Sequence, residues 1–195
     1  SGFRVYLGFF KPISQKPWHG NLKKYGIDNS NQIVGKPQPP LYPNGRVAIN
    51  SDGTFIDTSI SFWSTTADGG NVDEGGAGDV LINRITPRNI YTYKGTNSGL
   101  TNPTNAFTTS NMAPSDLGLT TNAERDNLVN FIHGIDAYDE DSDGDTTEKR
   151  GWILGDILHS KPLVVNYKTY TFSSTNESNC NVNKTMVFVG ANDGM

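Results

Sequence analysis

The stretch YDEDSDGDTTEKR, residues 138–150, contains the side chains of this chain that are best suited to bind a cation. Aspartates stand at every second position from Asp139 onward, and Gly144 comes just before the last of them. Calcium takes about six to eight oxygen ligands, and an EF-hand loop supplies them from its first, third and fifth positions, with glycine at the sixth. Asp139, Asp141 and Asp143 match those ligand positions. We therefore predict a calcium site in this loop.

The second half of the loop departs from the EF-hand pattern. Asp145 stands at position seven, which contributes a backbone carbonyl, and Thr147 stands at position nine, which often binds through water. Position twelve requires a bidentate glutamate, and this chain has Arg150 there. Closure is expected from Glu148, from Asp136 upstream, or from extra water. The alternative is a solvated acidic loop without an ion, which like-charge repulsion disfavours. The predicted metal ligands are Asp139, Asp141, Asp143, Asp145, Thr147 and Glu148.

No other group of residues forms a recognisable catalytic set. The three histidines, at positions 19, 133 and 159, are far apart in sequence, and a zinc site needs several convergent ligands. The glycine-rich loop from Asp68 to Asp79 lacks the Lys-Ser/Thr ending of a phosphate loop, so we interpret it as a surface loop or helix lead-in. We predict that the protein is not an enzyme.

Composition limits the class of protein further. The chain has 195 residues and a net charge of -4, and it contains no basic stripe, so nucleic acid is not an expected partner. No apolar run is long enough to span a membrane. Its one cysteine, Cys180, is either a free thiol or half of a disulfide with a partner elsewhere. Abundant Gly, Asn, Thr and Ser favour strands, turns and loops.

The first part of the chain predicts β-structure followed by one clear helix. FRVYLGFFKP and WHGNLKKYGI are strand-length runs that we expect to pair as a hairpin. QPPLYPNGRVAINSDGTFID predicts strand, turn and strand, GDVLINR a short helical turn, and RNIYTYKG a further strand. Thr121 with Glu124 has the capping-box form, and Gly134 is a natural stop. We therefore predict a helix over Asn122–His133.

After the acidic loop the pattern again predicts strands. WILGDILHS, KPLVVNYKTY and TMVFVGA are short apolar runs. A turn signal, Asn192-Asp193-Gly194, follows the last of them. We expect the partner strand of that turn to lie beyond this sequence, so that the chain is a fragment of a longer protein.

Several of these segments, taken in order, resemble a known family. WILGDILHSKPLVV followed by VFVGANDGM is similar to the start of the β-propeller in type IV pilus tip proteins, the PilC/PilY-type adhesins. PWHGNLKKYGI, GGAGDVL, RNIYTYKG and NLVNFIHGID fall in that family's usual order. The resemblance covers most of the chain in five or six patches.

The resemblance implies a mainly β fold with one or two helices, as the N-terminal part of a modified quinoprotein-like β-propeller that is incomplete in this chain. It implies hairpin strands at 3–60, a loop and helix insertion at about 64–135, a calcium loop at 136–150 and propeller strands at 151–195. Residues 1–195 would then be one fragment of a C-terminal propeller domain.

The resemblance also implies a function and a location. It implies a calcium-binding module outside a Gram-negative cell, at the pilus tip or outer surface, with roles in pilus assembly, extension–retraction control and adhesion. Expected partners are pilins or minor pilins, a host or abiotic surface, and the remainder of the polypeptide. Two alternatives are a calcium-dependent glycan-binding module that uses exposed tryptophans, and a quinoprotein-type oxidoreductase.

Overall fold

The computed structural model describes residues 3–14, 16–95, 99–167 and 185–192. The expectations for Cys180 and for the turn at Asp193-Gly194 lie outside these residues. The chain divides into two compact units: a first unit of Ser1–Val80 with Leu154–Met195, and a second unit of Leu81–Ile153. Each unit has its own buried side chains, and each is described separately.

The first unit contains a three-stranded antiparallel sheet. Strand β1 (Phe3–Lys11) pairs with β2 (His19–Ile27) along all nine residues, and β2 pairs with the short β3 (Ile33–Val34). The predicted hairpin is therefore confirmed. β2 is buried at every position except its two ends, because both of its faces are covered.

The segment that follows β3 forms turns and single bridges instead of the two strands that the sequence predicts. Bridges join Val34 to Val47 and Ile49 to Phe55, and the Gly53 amide closes the predicted turn on the Asn50 carbonyl. The apolar core of the first unit consists of Leu22, Tyr25, Val34, Ala48, Val72 and Ile157.

The end of the first unit holds a second, two-stranded sheet. Strand β4 (Leu163–Asn166) pairs antiparallel with β5 (Thr185–Phe188), which contains most of TMVFVGA. The predicted strand in WILGDILHS is wrong, because this segment meets β2 at only one point, the bridge between His19 and Gly155. The fold is mainly β with two helices, as predicted, and the described residues form no closed propeller.

Helix α1 (Gly76–Ile82) follows the glycine-rich loop, and the predicted helical turn is therefore present, two residues earlier than expected. RNIYTYKG is not a strand. Its contact with Ala106 is a single bridge at Tyr91, because the partner segment curls into a 3-10 turn at Pro103–Asn105 and ends the ladder.

Helix α2 (Asn122–His133) is the main element of the second unit, and it has the predicted bounds. The Thr121 hydroxyl accepts a hydrogen bond from the Glu124 amide, and the Glu124 carboxylate accepts one from the Thr121 amide. Gly134 ends the helix in the left-handed conformation, with φ of 101°. The buried apolar side chains of this unit are Met112, Val129, Trp152 and Ile153.

No helix among the described residues is long and apolar enough to cross a membrane.

Candidate metal centre

The acidic loop, residues 136–148, is separated from helix α2 by Gly134 and Ile135, and its end returns to these two residues. Ile135 and Lys149 form an antiparallel bridge, and the Arg150 amide donates to the Gly134 carbonyl at 3.0 Å. The Asp136 amide donates to the Glu148 carbonyl at 2.9 Å. These contacts form a narrow neck, so the two ends of the loop are fixed to the end of the helix.

Within the loop, the aspartates accept hydrogen bonds from nearby backbone amides. Asp139 Oδ1 accepts from the Gly144 amide at 3.1 Å, and Asp143 Oδ1 accepts from the Asp145 amide at 2.7 Å. Gly144 has a φ of 90°, a conformation that favours glycine. The loop thus turns sharply at the predicted glycine, and it folds several carboxylates toward one another.

Two groups of three carboxylates result from this folding, and Asp141 belongs to both. The first consists of Asp139, Asp141 and Asp143, and the second of Asp136, Asp141 and Glu148; in each group, one oxygen per residue lies within 4.8 Å of the others. The structure therefore brings together four of the six predicted ligands. It also brings both candidates for closing the site, Asp136 and Glu148, to the same carboxylate.

Asp145 and Thr147 are not part of either group. The Asp145 Oδ1 atom accepts from both the amide and the hydroxyl of Thr147, at 2.8 and 2.7 Å. These two hydrogen bonds, the hydroxyl's first, lower the pKa of Asp145. Their side chains therefore stabilise a turn, which is compatible with the backbone and water-mediated roles that the register gives to positions seven and nine.

Asp136 differs from the other carboxylates because it is buried, with 2% of its surface exposed. Both of its oxygens lie 2.9 Å from the Glu140 amide. A carboxylate held in this way keeps its orientation, and its remaining lone pairs stay available to a cation. Asp136 is thus the one buried member of the two groups.

Glu148 is affected by the negative charges that surround it. The charge of Asp143 raises the pKa of Glu148 most, followed by partial desolvation and by the charges of Asp141, Asp145 and Asp136. A shift in this direction means that ionised Glu148 is repelled by its neighbours. A bound cation would turn that repulsion into attraction, so the electrostatics of the loop fit a metal ion.

Arg150 occupies the position where an EF-hand has its glutamate, and the structure gives it another role. Its Nε atom donates to Glu140 Oε2 at 2.7 Å, and its guanidinium carbon lies 3.7 Å from the centre of the Phe131 ring. The side chain therefore packs on helix α2 and pairs with Glu140. Glu140 belongs to neither carboxylate group, and it takes no part in the turn at Asp145.

The other residues considered from the sequence do not form a site. His19 Nδ1 lies 2.7 Å from Asp73 Oδ1, and His133 Nε2 lies 2.7 Å from the Phe107 carbonyl oxygen. Every candidate ligand group among the described residues contains carboxylates alone. In the second unit, which holds the acidic loop, Trp152 is 5% exposed, so this side chain offers no surface for sugar stacking.

One charged cluster was not predicted at all, and it lies in the first unit. Lys23 and Asp68 form an ion pair with side-chain exposures of 0% and 1%. Of the two interpretations of residues 68–79, the surface loop is wrong at Asp68, which is buried, and the helix lead-in is correct at Gly76. A signal was available: a paired Lys23-Lys24 lies in the middle of a strand, where buried lysines need a partner.

Similarity to a protein of known role agrees with the resemblance stated from the sequence. The chain is 35% identical over 154 residues to "Type IV pilus biogenesis factor PilY1" of Pseudomonas aeruginosa (strain UCBPP-PA14). This chain is PilY1-like. The match covers 68% of the chain and 12% of the factor, so the chain spans a small part of its relative's length. No family model matches the chain, and no solved structure matches it.

Proposed function

We propose that this chain is a calcium-binding extracellular module of a type IV pilus tip or biogenesis protein, and that it contributes to pilus assembly, extension–retraction control and surface adhesion. The observation that carries the proposal is the 35% identity to PilY1 over 154 residues. The two carboxylate groups that share Asp141 support the calcium-binding part of it.

The proposal includes a location and a set of partners. The module acts outside a Gram-negative cell, at the pilus tip or outer surface, and it contacts pilins or minor pilins, a host or abiotic surface, and other parts of its own polypeptide. Strands β4 and β5 would be the first strands of a modified β-propeller. These features are inferred from the resemblance to the family, because the match covers 12% of the relative's length.

Calcium is the proposed ion because the loop offers oxygen atoms alone, from carboxylates, a hydroxyl and backbone carbonyls. Calcium accepts irregular arrangements of oxygen ligands, whereas magnesium demands near-octahedral geometry and keeps its waters. The ion would link Asp136, at the neck of the acidic loop, to the exposed Asp139–Asp143 turn. Binding would then fix the loop to the C-terminal end of helix α2, and loss of the ion would release it.

Calorimetric titration of the chain with calcium tests the binding step. The expected result is a saturable heat with about one ion bound per chain, and a weaker response to magnesium. Asp141→Asn removes the carboxylate that both groups share, so it should abolish the heat. Asp126→Asn is the matched control, because Asp126 lies on helix α2 and pairs with Arg125 instead of joining either group. Absence of heat in the parent chain would contradict the proposal.

The pilus part needs a separate experiment in cells. Asp141→Asn and Asp126→Asn are introduced into the full-length protein of the source organism, and surface pili are counted by electron microscopy. Fewer pili in the first variant, with normal numbers in the second, would support a role of the calcium loop in assembly. Normal piliation after deletion of the whole protein would remove the pilus assignment and leave the calorimetric result unaffected.

A further inference from the structure

The second unit contains a half-open cavity of about 360 Å³ that is distinct from the acidic loop. One wall is the end of helix α1 and the segment 84–88, and the other is the last turn of helix α2 with the neck residues Ile135 and Lys149. The volume falls within the range of small-molecule sites, about 300–1,000 Å³. All of the residues that line the cavity belong to the second unit.

The charge of this cavity is opposite to that of the unit around it. The second unit has six Lys and Arg residues and ten Asp and Glu residues. Four of the six cations line the cavity, and none of the ten acids does. A unit with an excess of four negative charges therefore collects most of its positive charge at one concave surface, which is the pattern that attracts an anion. The four cations are Arg84, Arg88, Lys149 and Arg150.

Backbone contacts position these cations. Arg88 Nη2 donates to the Ile132 carbonyl, and Lys149 Nζ donates to the Ile82 carbonyl at 3.2 Å. An ammonium has three N–H donors, so the bond from Lys149 to the Ile82 carbonyl leaves further donors for a ligand. Arg84 is exposed at the rim. Arg150 is balanced in part by Glu140, and the cations with which a ligand would pair are therefore Arg84 and Lys149.

Most of the remaining lining is apolar, with Thr86, Asn130 and His133 as its polar members, and this limits the kind of anion. A bare inorganic anion would leave these side chains in contact with water, whereas a ligand with a short hydrocarbon body would cover them. Ile85 is fully exposed, at 102% relative to a reference chain, and it offers the largest gain on being covered. The apolar lining side chains are Leu81, Ile82, Ile85, Pro87, Ile135 and Ile153.

We propose that this cavity binds a small amphipathic carboxylate, with the carboxylate between Arg84 and Lys149 and the hydrocarbon body against the isoleucines. Charge-assisted hydrogen bonds from guanidinium and ammonium groups are the strong, directional part of such a site. The apolar wall supplies affinity that grows with the length of the ligand's hydrocarbon body. This site is independent of calcium binding, and it needs no residue of the two carboxylate groups.

NMR titration of the isotope-labelled chain with three ligands of equal length tests the site. Hexanoate should shift the amide signals of Ile82, Ile85 and Lys149 saturably. Hexanol should bind more weakly, and hexylammonium should not bind. In the series butanoate, hexanoate and octanoate, affinity should rise with length. Equal binding of hexanoate and hexanol, or shifts that do not saturate, would overturn the proposal.

Variants at exposed positions keep the test separate from folding. Arg84→Gln and Lys149→Gln should each weaken hexanoate binding roughly 3- to 10-fold, as expected for one partly exposed charged hydrogen bond. Lys94→Gln is the matched control, because Lys94 belongs to the same unit and pairs with Asp116 away from the cavity. Ile85→Ser should weaken octanoate more than butanoate. An equal loss in Lys94→Gln would show that binding depends on overall charge and would overturn the site.

Discussion

The chain handles negative charge in two opposite ways, one in each unit. In the first unit, Asp68 is buried, and Lys23 Nζ lies 3.1 Å from its Oδ2 atom. The Ser61 amide and the Ser64 hydroxyl donate to the same carboxylate at 2.7 and 2.9 Å. In the second unit, the acidic loop gathers like charges, most of them at the surface, with Asp136 buried at its neck. The charge of Asp68 is balanced by groups of the protein, whereas the charge of the acidic loop is balanced by solvent or by an external ion.

This difference follows from the cost of removing a charge from water. An isolated buried carboxylate is so unfavourable that it needs a cation and several hydrogen bonds at fixed positions. Burial lowers the pKa of Lys23, and the charge of Asp68 acts in the opposite direction. Exposed aspartates carry no such penalty, and their mutual repulsion is reduced by water. A fold can therefore keep an exposed acidic cluster ready for an ion, whereas a buried carboxylate needs partners, which Asp68 finds in Lys23 and Asp136 in the Glu140 amide.

The largest effect is expected from removing the buried cation. Lys23→Met leaves Asp68 charged and unpaired, and we expect a loss of about 3–5 kcal/mol in the free energy of unfolding. Urea unfolding followed by circular dichroism measures it. Lys161→Met, at an exposed lysine of the same unit, should be nearly neutral. If Lys23→Met combined with Asp68→Asn were no more stable than Lys23→Met alone, the unpaired charge would not be the cause.

A smaller effect, with the opposite sign, is expected in the acidic loop. Without calcium, Asp141→Asn should leave the melting temperature unchanged or slightly higher, because it removes one of several like charges. With calcium at about 100 times its dissociation constant, the parent chain should gain about 2.7 kcal/mol and the variant should gain nothing. Differential scanning calorimetry with EDTA and with calcium measures both. A large loss of stability in EDTA would show that the loop is already balanced internally.

The same contrast explains how far the sequence could predict the structure. Helix α2 follows local signals: Thr121 and Glu124 form the capping box, and Gly134 supplies the left-handed stop, so its bounds were predicted to the residue. The sharp turn at Gly144 is equally local. The pairing of Lys23 with Asp68 joins residues that are 45 positions apart, and no pattern within either segment specifies it.

Tertiary contacts also decide which short apolar runs become strands. TMVFVGA and RNIYTYKG are both short runs that contain branched and aromatic residues. The first forms β5, which pairs with β4 over four residues, whereas the second forms one bridge, at Tyr91. The difference lies in the partner, because a 3-10 turn interrupts the segment opposite Tyr91. The same reasoning applies to closure of the metal site. The contact of Asp136 and Glu148 with Asp141 depends on the Ile135–Lys149 bridge, which the loop sequence alone does not specify.

The smallest effect is a pH response that should separate two glutamates of the second unit, the exposed Glu124 and the half-buried Glu148. Hydrogen bonds from Thr121, its amide first, and then from Thr120 lower the pKa of Glu124 to about 2. The folded state therefore gains stability from Glu124 above its unfolded pKa, and this gain is lost as pH falls toward 2. The pKa of Glu148 is raised, most of all by the charge of Asp143. The folded state therefore loses stability as the pH rises through the ordinary glutamate pKa of 4.5 and beyond.

Carboxyl-carbon NMR titration without calcium should give two midpoints, one near 2 for Glu124 and one above 4.5 for Glu148. Calcium should lower the Glu148 midpoint, because a cation favours the ionised form, and it should leave Glu124 unchanged. Glu148→Gln should flatten the decline in stability above pH 4.5, and Glu124→Gln should remove the acid-side loss. If calcium left the Glu148 midpoint in place, the ion would not lie beside Glu148, and the second carboxylate group would not be part of the site.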